Sequence, residues 1–124
     1  MNEENTAKAS LVRPGGGERL TFDWGEIAWI ASGALGNARQ MTFGRVVIKA
    51  GRRNAGHWHP DSEEILHLLS GRLAHAVNDE VFAMAAGDSI IIPASARHHA
   101  RAVGDEDAVM LVFYPTGERR TETG

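Results

Sequence analysis

GRRNAGHWHPDSEEILHLLSG, residues 51–71, is the stretch that decides how the rest of the chain is read. His57 and His59 alternate with Trp58, and on an extended strand residues two apart share a face, so both imidazoles point the same way. Pro60, Asp61 and Ser62 signal a turn, after which a new apolar run opens on the adjacent carboxylates Glu63 and Glu64. Imidazole nitrogen combined with carboxylate oxygen suits a borderline divalent metal such as Zn, Mn, Fe or Ni. The stretch therefore predicts a metal site that straddles two strands and a tight turn.

A second stretch, GDSIIIPASARHH at residues 87–99, is an apolar β run stopped by Pro93 and followed by the pair His98–His99. Taken together, the two stretches resemble the paired motifs of the cupin family. The first family motif is Gly, five residues, His, one residue, His, three or four residues, Glu, six residues, Gly. Gly51, His57, His59, Glu64 and Gly71 fill it with the four-residue gap. The second is Gly, five residues, Pro, one residue, Gly, two residues, His, three residues, Asn. Gly87, Pro93 and His98 fit, whereas Ser95 stands for the second Gly and Ala102 for the Asn. The resemblance implies an all-β fold, the cupin-type double-stranded β-helix or jelly-roll barrel, with a metal inside. Its implied ligands are His57, His59, Glu64 and His98, and its implied cofactor is a divalent ion: Fe, Mn, Ni, Co or Zn.

The remaining segments agree with an all-β reading. Residues 20–23, 26–32, 41–50, 72–77, 81–84, 89–92, 98–103 and 108–114 are short and β-favouring, separated by turn signals, with no long amphipathic helix among them. Asn78-Asp79 predicts a hairpin, and Ser89 to Ile92 is apolar enough to predict a buried strand. Residues 1–10 read as a polar N-terminal tail, 11–117 as a single domain, and 118–124 as a polar C-terminal tail. Periodicity does not choose between a sandwich and a barrel; the resemblance implies the barrel, and with it a homodimer.

Neighbouring residues separate by strand parity. Glu64 shares a face with Leu66 and Leu68, Glu63 with Ile65, His67 and Leu69, and the family spacing selects Glu64. His67 then faces away from the metal as a surface, sheet-packing or interface histidine. His99 points opposite to His98. His75 is expected as a hydrogen-bonded structural histidine that could also line the cavity, and Trp58 as a packing residue. Met41, Phe43, Met110, Val112 and Tyr114 are core by default; Tyr114 and Arg45 are the weakest functional candidates.

Composition narrows the function classes. A chain of 124 residues with 43% hydrophobic and 23% charged residues fits one globular domain. It contains no cysteine, which excludes disulfides and thiolate ligands. The net charge of −3 argues against a general nucleic-acid binder, and no apolar run is long enough to span a bilayer as a helix. The polar, acidic start lacks the features of a secretory signal, so the cytoplasm is the default location. Arg39, Arg45, Lys49, Arg52, Arg53, Arg72, Arg97 and Arg101 leave the centre mildly cationic, which would favour an anionic small-molecule substrate. No phosphate loop, dinucleotide fingerprint or nucleophile elbow is present. The resemblance implies a small metal-dependent enzyme acting on an oxygen-bearing substrate in the barrel, of dioxygenase or isomerase/lyase type. The alternative is a non-catalytic cupin that binds a metal or small ligand.

Overall fold

The computed structural model describes residues 8–123. Eleven strands and no helix occur among them: β1 (Glu18–Phe22), β2 (Gly25–Ala31), β3 (Thr42–Ile48), β4 (His57–Trp58), β5 (Glu64–Ser70), β6 (Arg72–Val77), β7 (Glu80–Ala85), β8 (Ser89–Ile92), β9 (His98–Ala102), β10 (Ala108–Tyr114) and β11 (Glu122–Thr123). They form two antiparallel sheets, one in the order β1-β2-β3-β10-β5-β8 and the other in the order β11-β4-β9-β6-β7. This is the all-β jelly roll expected. Among the described residues, no helix is long and apolar enough to cross a membrane.

Each sheet turns one face inward because its strands alternate apolar and polar or half-buried positions. On β10, Ala108, Met110, Val112 and Tyr114 are buried while Val109, Leu111 and Phe113 are only half-buried. On β5 the buried positions are Glu64, Leu66 and Leu68, so the parity left open between the two carboxylates is settled: Glu64 points inward and Glu63 is exposed. Cross-strand register then sorts the interior along the barrel. Met110 stands opposite Leu68 and Val112 opposite Leu66, while Leu73 stands opposite Ala102 and His75 opposite Ala100. Ile48, Leu68, Leu73, Met84 and Ala102 pack one end, and burying each of the larger ones contributes about 1.5–3 kcal/mol. At the other end, these strands present Glu64, His75, His98 and Tyr114.

The motif glycines follow from backbone geometry. Gly51, Gly71 and Gly87 have φ of +77°, +81° and +96°, left-handed values that disfavour any Cβ. Ser95, where the family motif has glycine, also sits at φ +69°. Its N–H donates to the His59 carbonyl at 2.8 Å and its hydroxyl to the Pro60 carbonyl at 3.3 Å, so the turn conformation is kept with a different residue. Ala102, in place of the motif asparagine, is fully buried and exchanges backbone hydrogen bonds with the 51–52 turn.

Three expectations need correction. Ser89 to Ile92 is a strand, but it forms a sheet edge with one face packed, so Ile92 is 1% exposed and Ile91 61%. Met41 lies just before β3 and is 44% exposed, not core. The segment read as a polar C-terminal tail contains β11, whose Glu122 and Thr123 pair with Trp58 and His57. Of the N-terminal tail, residues 1–7 lie outside the described residues, and residues 8–10 carry no regular structure.

Candidate metal centre

Four side chains converge at the polar end of the barrel. Backbone pairing sets His57 directly opposite His98, and their ring centroids are 4.2 Å apart. His59 follows on the same face, with its centroid 5.0 Å from that of His57 and 5.4 Å from that of His98. Glu64, at the start of β5, comes from the opposite sheet. One ligand atom from each of His57, His59, Glu64 and His98 lies within 4.8 Å of all the others. This cluster can hold a metal ion.

The far nitrogens of the rings are tied down. His57 Nδ1 donates to the Ala55 carbonyl at 2.8 Å, and His59 Nδ1 to the Arg120 carbonyl at 2.9 Å. A carbonyl only accepts, so both rings carry their proton on Nδ1 and present a lone pair on Nε2. His98 Nδ1 is 3.3 Å from Nε2 of the fully buried His75. Outer hydrogen bonds of this kind orient imidazoles that ligate metals. The inward atoms are left bare: His59 Nε2, His98 Nε2 and Glu64 Oε1 are buried without a hydrogen-bond partner. The two nitrogens lie 3.2 and 3.6 Å from Glu64 Oε1, close enough for ion pairing but not aligned as hydrogen bonds. Buried polar atoms without partners are costly, and the lone pairs of His59 and Glu64 facing each other are relieved by a cation.

The protonation states also fit. Burial holds His57 below the ordinary imidazole range, and pushes His98 down to about 3 against the partial counteraction of Glu64. Burial alone would raise the Glu64 carboxyl, but its close contacts with His59, His98 and His57 outweigh burial and hold it below its ordinary value. Neutral imidazoles and an ionised carboxylate are the forms a metal needs.

The cluster opens on a cavity of about 290 Å³. Its walls are mainly apolar, including Phe22 and Trp24, whose rings stack at 4.8 Å, and Trp29. Polar groups besides the cluster include Asn54, His75, Tyr114, Arg119, Thr121 and Thr123. Tyr114 packs edge-on to His59 at 4.9 Å; burial and the nearby Glu64 carboxylate raise its phenol well above the usual range, so it stays protonated. Arg119 lies over Trp29 at 4.4 Å and over Tyr114 at 5.5 Å, and its Nη1 donates to the Thr121 hydroxyl.

Other candidates fall outside. His67 bonds the Ser89 hydroxyl at 2.7 Å, and His99 lies 3.2 Å from Arg53 Nη1; neither lines the cavity. Trp58 takes the Arg97 guanidinium at 5.5 Å, and Arg45 is exposed on β3. Sequence reasoning missed Arg119 and Thr121. A faint signal was there: Arg119, Thr121 and Thr123 alternate along the cavity, while Arg120 and Glu122 form an ion pair at 3.6 Å between them.

The family model described as "Cupin domain" matches residues 44–114. The chain belongs to the cupin family. Among curated relatives, "Polyketide synthase CurC" of Streptomyces cyaneus is 38% identical over 69 residues, covering 56% of this chain and 45% of CurC. "Protein SchB" of Streptomyces halstedii is 29% identical over 90 residues, covering 73% of this chain and 64% of SchB. The chain thus spans between about half and two thirds of these relatives' length. Among solved cupin structures, the formate complex of Lactobacillus farciminis oxalate decarboxylase superposes with a TM-score of 0.81 at 25% identity, covering 89% of this chain and 34% of the decarboxylase.

Proposed function

We propose that this cupin is a metal-dependent enzyme in which His57, His59, Glu64 and His98 bind one divalent ion and a small oxygen-bearing substrate enters from the cavity. The observation that carries this reading is the set of buried, partnerless ligand atoms, aimed at one point by outer hydrogen bonds. Four protein ligands leave room for a substrate oxygen on an ion that takes five or six. When bound, such an ion polarises a carbonyl or enolate, activates water or supports oxygen chemistry. That range covers the oxygenase and isomerase/lyase classes.

This chain's residues divide the remaining work. His57 and His59 are locked in the metal-binding tautomer by the Ala55 and Arg120 carbonyls, and His75 steadies His98. Tyr114, kept protonated, can donate to a substrate oxygen near Glu64. The aromatic wall excludes water from the bound substrate. The formate complex of the structural neighbour supports a small anion as the kind of molecule taken up.

A non-catalytic, ligand-binding cupin is the second reading, favoured by one observation: no carboxylate except Glu64 lines the cavity among the described residues, so no separate carboxylate base is at hand. Elemental analysis after purification without added metal tests both. About one ion per chain, lost in Glu64→Gln and His98→Ala, supports the site; a wild-type protein that takes up no divalent ion on reconstitution refutes it. Turnover of a bound oxyacid then separates enzyme from binder.

We also propose a homodimer through the outer face of the six-stranded sheet. Ile65 and Ile91 are cross-strand partners there, 43% and 61% exposed, and Leu69 adds a third exposed apolar side chain. Light scattering of the wild type and of Ile91→Lys checks this: a wild-type monomer refutes it.

A further inference from the structure

Arg119 lines the cavity with no carboxylate against it. Arg119 is half-buried, and among the described residues no carboxylate lies within 4.0 Å of its guanidinium. It is pinned by ring faces, with Trp29 at 4.4 Å and Tyr114 at 5.5 Å, and by one hydrogen bond to Thr121. A guanidinium has five N–H donors in a fixed fork, and the Thr121 hydroxyl takes one of them.

Charge and wall chemistry together specify a ligand. Neutral imidazoles, one carboxylate and a divalent ion leave a net positive charge at the cluster, and Arg119 adds a second positive centre. The cavity wall they share is largely apolar, with Phe22, Trp24, Ile27, Trp29, Val46 and Leu66 in its lining. The cavity of about 290 Å³ has room for roughly ten waters at about 30 Å³ each. Oxalate would satisfy the charges but cover little of that wall.

We infer that Arg119 is the specificity-determining clamp for the carboxylate of an apolar-bodied oxyacid, an aromatic hydroxy or keto acid whose second oxygen faces the metal cluster. This rests on the metal-site reading above. The segment that delivers the clamp also supplies the Arg120 carbonyl to His59, so one short stretch serves both substrate and ligand orientation.

The test uses full-length protein loaded with Co(II) and three probes: salicylate, catechol and oxalate. Catechol keeps the aromatic body and adjacent oxygens but lacks the carboxylate. Binding is read from quenching of tryptophan emission, since Trp24 and Trp29 line the cavity, and from the Co(II) visible spectrum. Salicylate should bind more tightly than oxalate. Arg119→Gln should keep its cobalt, lose about tenfold or more in salicylate affinity, and hold catechol within about twofold. Arg119→Lys should recover only part of the loss, because an ammonium lacks the fork. An unchanged salicylate affinity in a cobalt-loaded Arg119→Gln overturns the clamp, and tighter binding of oxalate overturns the apolar-bodied substrate. Failure of the wild type to load cobalt is a separate result that overturns the metal site. Salicylate quenching in the metal-free protein then decides the clamp: sensitivity to Arg119→Gln sustains it, and insensitivity overturns it.

Discussion

Mild acid should unfold the metal-free protein through its own site histidines. Burial, partly opposed by Glu64, pushes His98 down from 6.5 to about 3 and His75 to about 4. The unfolded chain protonates these rings near pH 6.5, whereas the folded one refuses the proton until far lower. Their stabilising contribution is therefore complete above pH 6.5 and is lost as pH falls toward the folded values. At pH 5 the loss is about 2 kcal/mol for each ring, and about 4 kcal/mol for the two together. Glu64 has the opposite dependence on charge: its lowered carboxyl stabilises above its ordinary 4.5 and fails only below it, so pH 5 isolates the histidines. Urea midpoints of chelator-treated protein, followed by tryptophan emission from pH 7.5 to pH 5, measure the loss. His98→Gln, which cannot titrate, should reduce it by about 2 kcal/mol. Equal losses in the wild type and His98→Gln would refute the reasoning.

Adjacent residues should behave as opposites in metal analysis: His98→Ala and Glu64→Ala should lose the ion, and His99→Ala and Glu63→Ala should keep it, since only the first of each pair points inward. Deleting residues 118–124 removes the carbonyl that holds His59 Nδ1, and should weaken metal binding by about 10- to 100-fold in competition with a chromophoric chelator. Gly71→Ala should lower stability by about 2 kcal/mol or more. Its φ is +81° and an added Cβ would meet the Asp107 carbonyl oxygen at 2.5 Å; an unchanged urea midpoint would show that the turn can be rebuilt.

The barrel and its His/Glu cluster were legible because the signals were local or tied to fixed backbone geometry. Period-two alternation marks β5 and β10, and left-handed turns explain why Gly51, Gly71 and Gly87 carry the motifs. The spacing around His57 and His59 turns a common residue pair into two arms of a chelate. What failed to show was whatever depends on neighbours distant in sequence. Three consecutive isoleucines cannot reveal that β8 is an edge strand, because the missing partner is not written in those residues. His75 was expected to be hydrogen-bonded and able to line the cavity, but its partner, His98, emerged only when β6 and β9 set the two together. Arg119 lay hidden in a polar ending, since five residues of alternation beside glycine and charge carry too little pattern to stand out.

The pairing of β4 has a consequence for motion. This strand is two residues long and joins β9 through the single pair His57–His98, whereas β6 runs alongside β9 for five residues and β7 for six. The hinge-like margin formed by β4 and β11 thus has little ladder of its own, and the side chains it carries are those that meet in the cluster. An ion bridging His57 and His98 would rivet that margin to the rest of the sheet. Amide exchange in β4 and β11 should accordingly be fast in the apo form and slow on loading, while the interior of β6 and β10 hardly changes.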